Sequence, residues 1–182
     1  MFRAIGRHLA KFRRDQRGAV LVEMTLVAPL MVFLSAGVFE FGNLIHDKLL
    51  MEAGLTDAAR FGARCNSQMY TDVGWSAIDC ADIATNIAVY GTASLTVVSG
   101  KVTNTPRVSG WQKADVTVTI GASGSCYPAV VAGVTQYRSV TPQVCIVNAA
   151  GTYPYSGVGM LAILNIGPIT LSGFHQERLI RF

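Results

Sequence analysis

What this sequence is short of narrows its chemistry before any motif is read. Beyond its first 18 residues it has no excess of basic side chains. Six of its 15 Lys+Arg (Arg3, Arg7, Lys11, Arg13, Arg14, Arg17) and one of its 11 Asp+Glu (Asp15) lie there, leaving nine against ten. The net charge of +4 therefore belongs to the N-terminal segment. No basic stripe remains to track a phosphate backbone, so nucleic acid is not expected as a partner. Cysteine is sparse, and none of Cys65, Cys80, Cys126 and Cys145 stands in a C-x-x-C pair. With His8, His46 and His175 scattered, the spacing offers no zinc site. Internal repeats and low-complexity tracts are also missing. Gly157-Val158-Gly159-Met160-Leu161-Ala162 fits G-x-G-x-x-A on paper, but Pro154 and Tyr155 stand where a dinucleotide fold needs a strand leading into the turn. No Ser/His/Asp or Cys/His set is placed together by spacing. Catalytic residues, metal and cofactor are therefore all expected to be none, and the chain is not expected to be an enzyme.

The most informative shortage is of charge. The 21 residues from Ala19 to Phe39 carry one charged side chain, Glu23. As a helix this run is ~32 Å long at about 1.5 Å per residue. That matches a hydrocarbon core of roughly 30 Å and exceeds most soluble core helices. Basic residues crowd up to Gly18 on one side only, so the positive-inside rule puts 1–18 in the cytoplasm and everything after Phe39 outside. Pro29 removes one backbone hydrogen bond and should kink or loosen the helix, which membrane helices tolerate. At 182 residues the chain has room for this anchor and one globular domain of about 120 residues.

From Glu40 to Arg64 there is no proline, and Phe41, Leu44/Ile45, Met51, Leu55, Ala58/Ala59 and Phe61/Gly62 recur at helical spacing. One helix of roughly 45 residues is implied at 3.6 residues per turn, ending near Cys65-Asn66. Gly54, Ala58 and Gly62 lie four apart on one side. Such a row lets another backbone approach closely, either a neighbouring helix or the domain's own sheet. Ser76-Ala77-Ile78-Asp79 reads as the start of a second helix with Ser76 as N-cap. Trp75, Ile78, Ile83, Ile87 and Tyr90 are its expected buried stripe, and Gly91 its stop.

After Gly91 the period changes to two. Leu95, Val97 and the run Ala114–Ile120 alternate as half-buried strands do. Gly100–Gly110 reads as a loop, 121–142 is broken by glycines, and Gly151–Gly159 reads as a turn cluster. Gln143–Val147, Ile169–Leu171 and Phe174–Ile180 read as further strands. The fold class is thus α+β: a long N-terminal helix, half membrane-spanning and half exported, packed on a small antiparallel sheet. All four cysteines fall on the exported side, where an oxidising compartment favours disulfides. Three connectivities are possible. Cys65–Cys80 with Cys126–Cys145 is favoured because both loops are short, and four free buried cysteines is the alternative.

Several blocks carry a family resemblance. Arg17-Gly18-Ala19 through Glu23 resembles the processing site of type IV prepilins, whose peptidase cuts after the glycine and leaves the glutamate as the fifth mature residue. That block, then Ala28-Pro29-Leu30, Glu40-Phe41-Gly42 and Ala58-Ala59-Arg60-Phe61-Gly62-Ala63-Arg64, is similar to the ordered blocks of the TadE-like family. These are minor pseudopilins of the Tad (tight adherence, Flp-type) secretion–pilus machinery. Tyr153-Pro154-Tyr155 and Ile169-Thr170-Leu171-Ser172 resemble the family's closing strands, and 66–152 has no matching block.

The resemblance implies a pilin-like fold and four segments: a basic leader (1–18), a transmembrane helix (19–39), its exported continuation (40–65) and a periplasmic or extracellular α+β domain (66–182). It implies cleavage between Gly18 and Ala19, and an intersubunit charge pair at Glu23. The implied function is a minor pilin with a structural or priming role in an adhesion or secretion pilus. Partners would be other pilin subunits, the prepilin peptidase, the inner-membrane assembly platform and membrane lipid. Ala19 stands where better-known type IV pilins have phenylalanine, so N-methylation is not carried over. The alternative is a single-pass envelope protein whose anchor stays uncut or is an ordinary signal peptide, with Ser35-Ala36-Gly37 as its small-residue cleavage site.

Overall fold

A computed structural model of the chain describes residues 17–122, 124–136, 143–155, 157, 159 and 167–180. The leader before Arg17 and most of the G-x-G-x-x-A stretch lie outside the described residues. Helix α1 runs unbroken from Arg17 to Arg64, 48 residues, through Pro29. It is followed by α2 (Ser67–Asp72), α3 (Cys80–Tyr90), strands β1 (Val97–Val98) and β2 (Lys101–Val102), a single 3₁₀ turn (Lys113–Asp115) and β3 (Val116–Ile120). Then come β4 (Cys126–Pro128), β5 (Val130–Val131), β6 (Val134–Thr135), β7 (Gln143–Tyr155) and β8 (Ile169–Arg178). A long helix followed by an antiparallel sheet is the α+β class expected from the change of period. The chain divides into two units within α1, one ending at Asn43 and the other beginning at Leu44.

In the first unit the apolar side chains of α1 are largely exposed, Leu21, Leu26, Val32 and Phe39 among them. This is the one helix among the described residues that is long and apolar enough to cross a membrane, and none of its most apolar window is buried.

In the second unit α1 changes character. Met51, Leu55, Ala58 and Ala59 are fully buried, a period of three to four that lays one face on the sheet and α3. The sheet is centred on β7. β8 pairs with it from Ile146↔Arg178 to Tyr155↔Ile169. β3 pairs from Ile120↔Val147 to Val116↔Gly151, and β4 joins at Cys126↔Cys145. In β3, Val116 and Val118 are buried and Thr117 is exposed, the alternation that a one-sided sheet requires. Val147, Ala149, Tyr153 and Leu171 continue the inner face, and Trp111, 1% exposed, closes it while its indole N–H donates to Thr152 O at 3.1 Å.

Four local expectations are corrected. Helix α3 starts at Cys80, not at Ser76. Its N-cap is Asp79, whose Oδ1 accepts the N–H groups of Ala81 and Asp82 at 3.0 Å each. One carboxylate oxygen thus satisfies two orphan N–H groups, and its charge complements the positive end of the helix. The buried stripe of α3 is Ala84, Thr85, Ala88 and Val89, while Trp75 is exposed and Ile78, Ile83, Ile87 and Tyr90 are not fully buried. The reason is the close approach of α1: a Cβ on Gly54 would lie 2.3 Å from the Ala88 carbonyl oxygen, so small residues must face each other there. Gly151 to Tyr155 belong to β7 and not to a turn, because β8 supplies partners for every one of them. β3 stops opposite Gly151, so Pro154 sits where β7 has a neighbour on one side only, and its missing N–H is tolerated. Finally, Val97 does lie in a strand, β1 paired with β2, but it is 58% exposed and not half-buried.

Two predictions follow from this packing. Gly54→Ala should cost about 1–3 kcal/mol through overpacking against α3, read as a lower unfolding midpoint of the full chain in detergent. Gly42→Ala, where nothing lies within 4 Å of the new Cβ, should leave it unchanged or raise it. Burial raises the pKa of Asp47 above its ordinary 3.8, with His46 beside it pulling the other way. As pH rises the unfolded chain gives up this proton first, so Asp47 subtracts stability once pH passes the usual carboxylate range. Asp47→Asn should therefore stabilise the protein at pH 7 and lose that advantage in acid below the usual range; an equal shift of the unfolding midpoint at both pH values would contradict this.

Candidate processing and assembly site

Gly18 and Ala19 lie in α1, at the beginning of its described residues. Gly18 is exposed, with nothing within 4 Å of a Cβ built on it. Among the described residues no packing requires glycine there.

Glu23 is exposed one turn further on, among Val20, Leu21, Val22, Met24, Leu26 and Val27. The two hydroxyls of this run are satisfied within the helix: Thr25 Oγ1 donates to Val22 O and Ser35 Oγ to Met31 O, each at 2.8 Å. A carboxylate has no proton to donate to a helix carbonyl. Among the described residues no donor meets Glu23, and intramembrane carboxylates tend to pair or to mark function.

The small-residue row faces inward. Gly54 lies against the Ala88 carbonyl, Ala58 is fully buried, and a Cβ on Gly62 would lie 3.0 Å from Val147 and 3.3 Å from Ile120. Of the two uses open to such a row, the structure gives it to the domain's own α3 and sheet.

The cysteines sit as two pairs. Cys65 follows α1 directly and its Sγ is 2.05 Å from that of Cys80, the first residue of α3. Cys126 and Cys145 face each other across β4 and β7, with Sγ atoms 1.99 Å apart. The groove beside the first pair is lined by Asn66, Ser67, Gln68, Ile78, Asp79 and Leu179 among others. Its carboxylate, Asp79, is already engaged in capping α3. Among the described residues no group of three or more His, Cys, Asp or Glu gathers as a metal site. His46 is exposed on α1, and His175 Nε2 lies 3.2 Å from Glu177 Oε1.

Sequence reasoning missed Arg107. Its Nη2 is 2.6 Å from Asp57 Oδ2, and its backbone N–H donates to Val89 O at 2.7 Å. One residue thus ties the long loop after α3 to both helices. Asp57 and Arg107 are 50 residues apart, and no local pattern announces such a pair.

Comparison with known proteins bears on α1. No curated protein and no solved structure matches the chain. The family model described as TadE-like protein matches residues 18–64. The stretch that holds Gly18, Ala19, Glu23 and the buried face of α1 is thus the part of the chain that is similar to TadE-like proteins.

Proposed function

We propose that this chain is a minor pilin-like subunit of a Tad-type pilus, with a structural or priming role and no catalytic one. The observation that carries this reading is Glu23, the sole charge in Ala19–Phe39, five residues beyond Gly18 within the TadE-like segment. Residues 1–18 are its cytoplasmic leader, 19–39 span the inner membrane, and 40–65 carry the helix into a periplasmic domain of 66–182. The prepilin peptidase hydrolyses the Gly18–Ala19 bond. Water supplies a hydroxyl to the Gly18 carbonyl and a proton to the departing nitrogen, leaving a new amino group on Ala19. That group lies about 6 Å along the helix from Glu23, at ~1.5 Å per residue. A neighbouring subunit displaced by this distance brings its own Ala19 ammonium level with Glu23. Shielded from water, the pair attracts strongly and fixes axial register. Other pilin subunits, the assembly platform and membrane lipid are the partners of this reading, and disulfides at Cys65–Cys80 and Cys126–Cys145 hold its exported domain.

Intact-mass measurement of membrane-extracted protein should show Ala19 as the first residue, and Gly18→Val should retain the leader. A start at Val38 would assign the cut to signal peptidase, and an uncut chain would make α1 a plain anchor. Glu23→Gln should insert and be cleaved normally yet fail to enter the assembly; normal incorporation of the processed variant would refute the charge pair. Peptide mapping without reductant should recover Cys65 with Cys80 and Cys126 with Cys145. The chain-entropy model gives each such bridge roughly 3 kcal/mol, so reduction should lower the unfolding midpoint, and four free thiols would overturn this assignment.

A further inference from the structure

Strand β8 is an open edge. Backbone bonds on either side of it fix which residues face outward. Leu179 N–H donates across to Cys145 O on β7, while Ile180 N–H turns the other way to Ala63 O. Lys48 Nζ reaches Ser172 O from the side away from β7. In an antiparallel pair, outward and inward residues alternate. Thr170, Ser172, Phe174 and Gln176 therefore direct their N–H and C=O groups away from β7. Only Ser172 finds a protein acceptor or donor for them among the described residues. The ten-residue strand keeps an uninterrupted register along β7; it has neither proline nor bulge, and Phe174 is 74% exposed at its middle. A long regular edge with so little to blunt it is a template for another strand.

The same domain holds an element with the opposite deficiency. β5 and β6 pair only with each other, Val130↔Thr135 and Val131↔Val134. Two strands of two residues do not hold a hairpin in water by themselves, and Val131 and Val134 are 64% and 62% exposed. No charged side chain occurs from 116 to 137, so nothing in the hairpin repels another protein surface. It cannot serve its own β8. Ser125 O accepts from Ile146 N–H and β4 pairs with β7 on the β3 side, and one residue separates Pro128 from Val130. The hairpin is thus fastened to the edge of β7 opposite β8.

We propose that the β5–β6 hairpin of one copy of this chain adds to the β8 edge of a second copy. Main-chain hydrogen bonds to Phe174 and Gln176 supply the attachment, and Phe174 packs on the hairpin valines. The contact is heterologous: each copy offers one hairpin and one edge, so copies join in an open series and not in a closed pair. This inference stands on the backbone of the exported domain and is independent of cleavage at Gly18 and of the pairing at Glu23.

The test uses the full chain in detergent micelles, with isotope-labelled and unlabelled copies mixed and a photo-crosslinking residue at position 176. Adducts between copies that map to 129–136 are expected. Adducts confined to other regions, or none between copies, would overturn the proposal. Gln176→Pro removes an outward N–H and leaves the bonds to β7, and Val131→Asp with Val134→Asp charges the hairpin. Each variant alone should self-associate at least tenfold more weakly than the parent, while a mixture of the two should form one-to-one pairs through the edge and hairpin left intact. Wild-type association by either variant alone, or failure of the mixture to pair, would also overturn it. Phe174→Lys is a second edge variant whose bonds to β7 are untouched, and it decides the matter if the proline variant unfolds.

Discussion

The folded domain after residue 44 depends on how closely one helix can approach its neighbours. From Met51 onward, α1 lies against α3 and the sheet near enough that Gly54 has a backbone oxygen where a methyl group would go. The sheet answers with its own small residues: Cβ atoms on Gly151 and Gly173 would meet Leu55 and Met51 at 3.1–3.3 Å. Burying Met51 and Leu55 fully is worth roughly 1.5–3 kcal/mol each. That gain requires glycine and alanine opposite them, because close-packed interiors leave no slack for an added methyl group.

Polar connections then hold the excursions that this packing leaves at its margins. Arg107 joins Asp57 and the last turn of α3, and Lys113 reaches Asp82 at 2.6 Å. Both pairs lie partly exposed and so contribute modestly by charge alone. Their role is to choose one path for the chain between α3 and β3. The two cysteine pairs do the same at the far end of the domain, one where α1 passes to α3 and one beside the β5–β6 hairpin.

Along α1 one helix carries two different contracts with its surroundings. Up to Leu49 it shows solvent or lipid a set of large apolar side chains, and from Met51 it turns fully buried residues inward. A subunit of the proposed assembly needs both: an apolar helix surface that exchanges lipid for neighbouring helices, and a folded domain that stays unchanged while it does so. Glu23 is the polar exception on that surface, and the outward groups of β8 with the β5–β6 hairpin are what the domain offers a second copy. Assembly on this reading is directed by what each copy leaves unpaired.

Some of this was determined by sequence alone. The length and neutrality of Ala19–Phe39, the lone Glu23 and the helical spacing through Ala58 and Gly62 are local, periodic features, and α1 follows from them to within a residue or two at its end. The strand at Val116–Ile120 follows from its alternation in the same way. What only the tertiary structure decided is non-local. Asp79 displaced Ser76 as a cap because α3 is set against Cys65 and α1. β7 runs 13 residues, through a glycine and a proline, because β8 is there to pair with it. Ala88 and not Ile87 faces inward because α1 comes to backbone contact. Periodicity reports which side of an element is apolar; how near its neighbour will come, and from which edge, depends on residues outside any local window, such as Gly54 for Ala88 and Gly173 for Gly151.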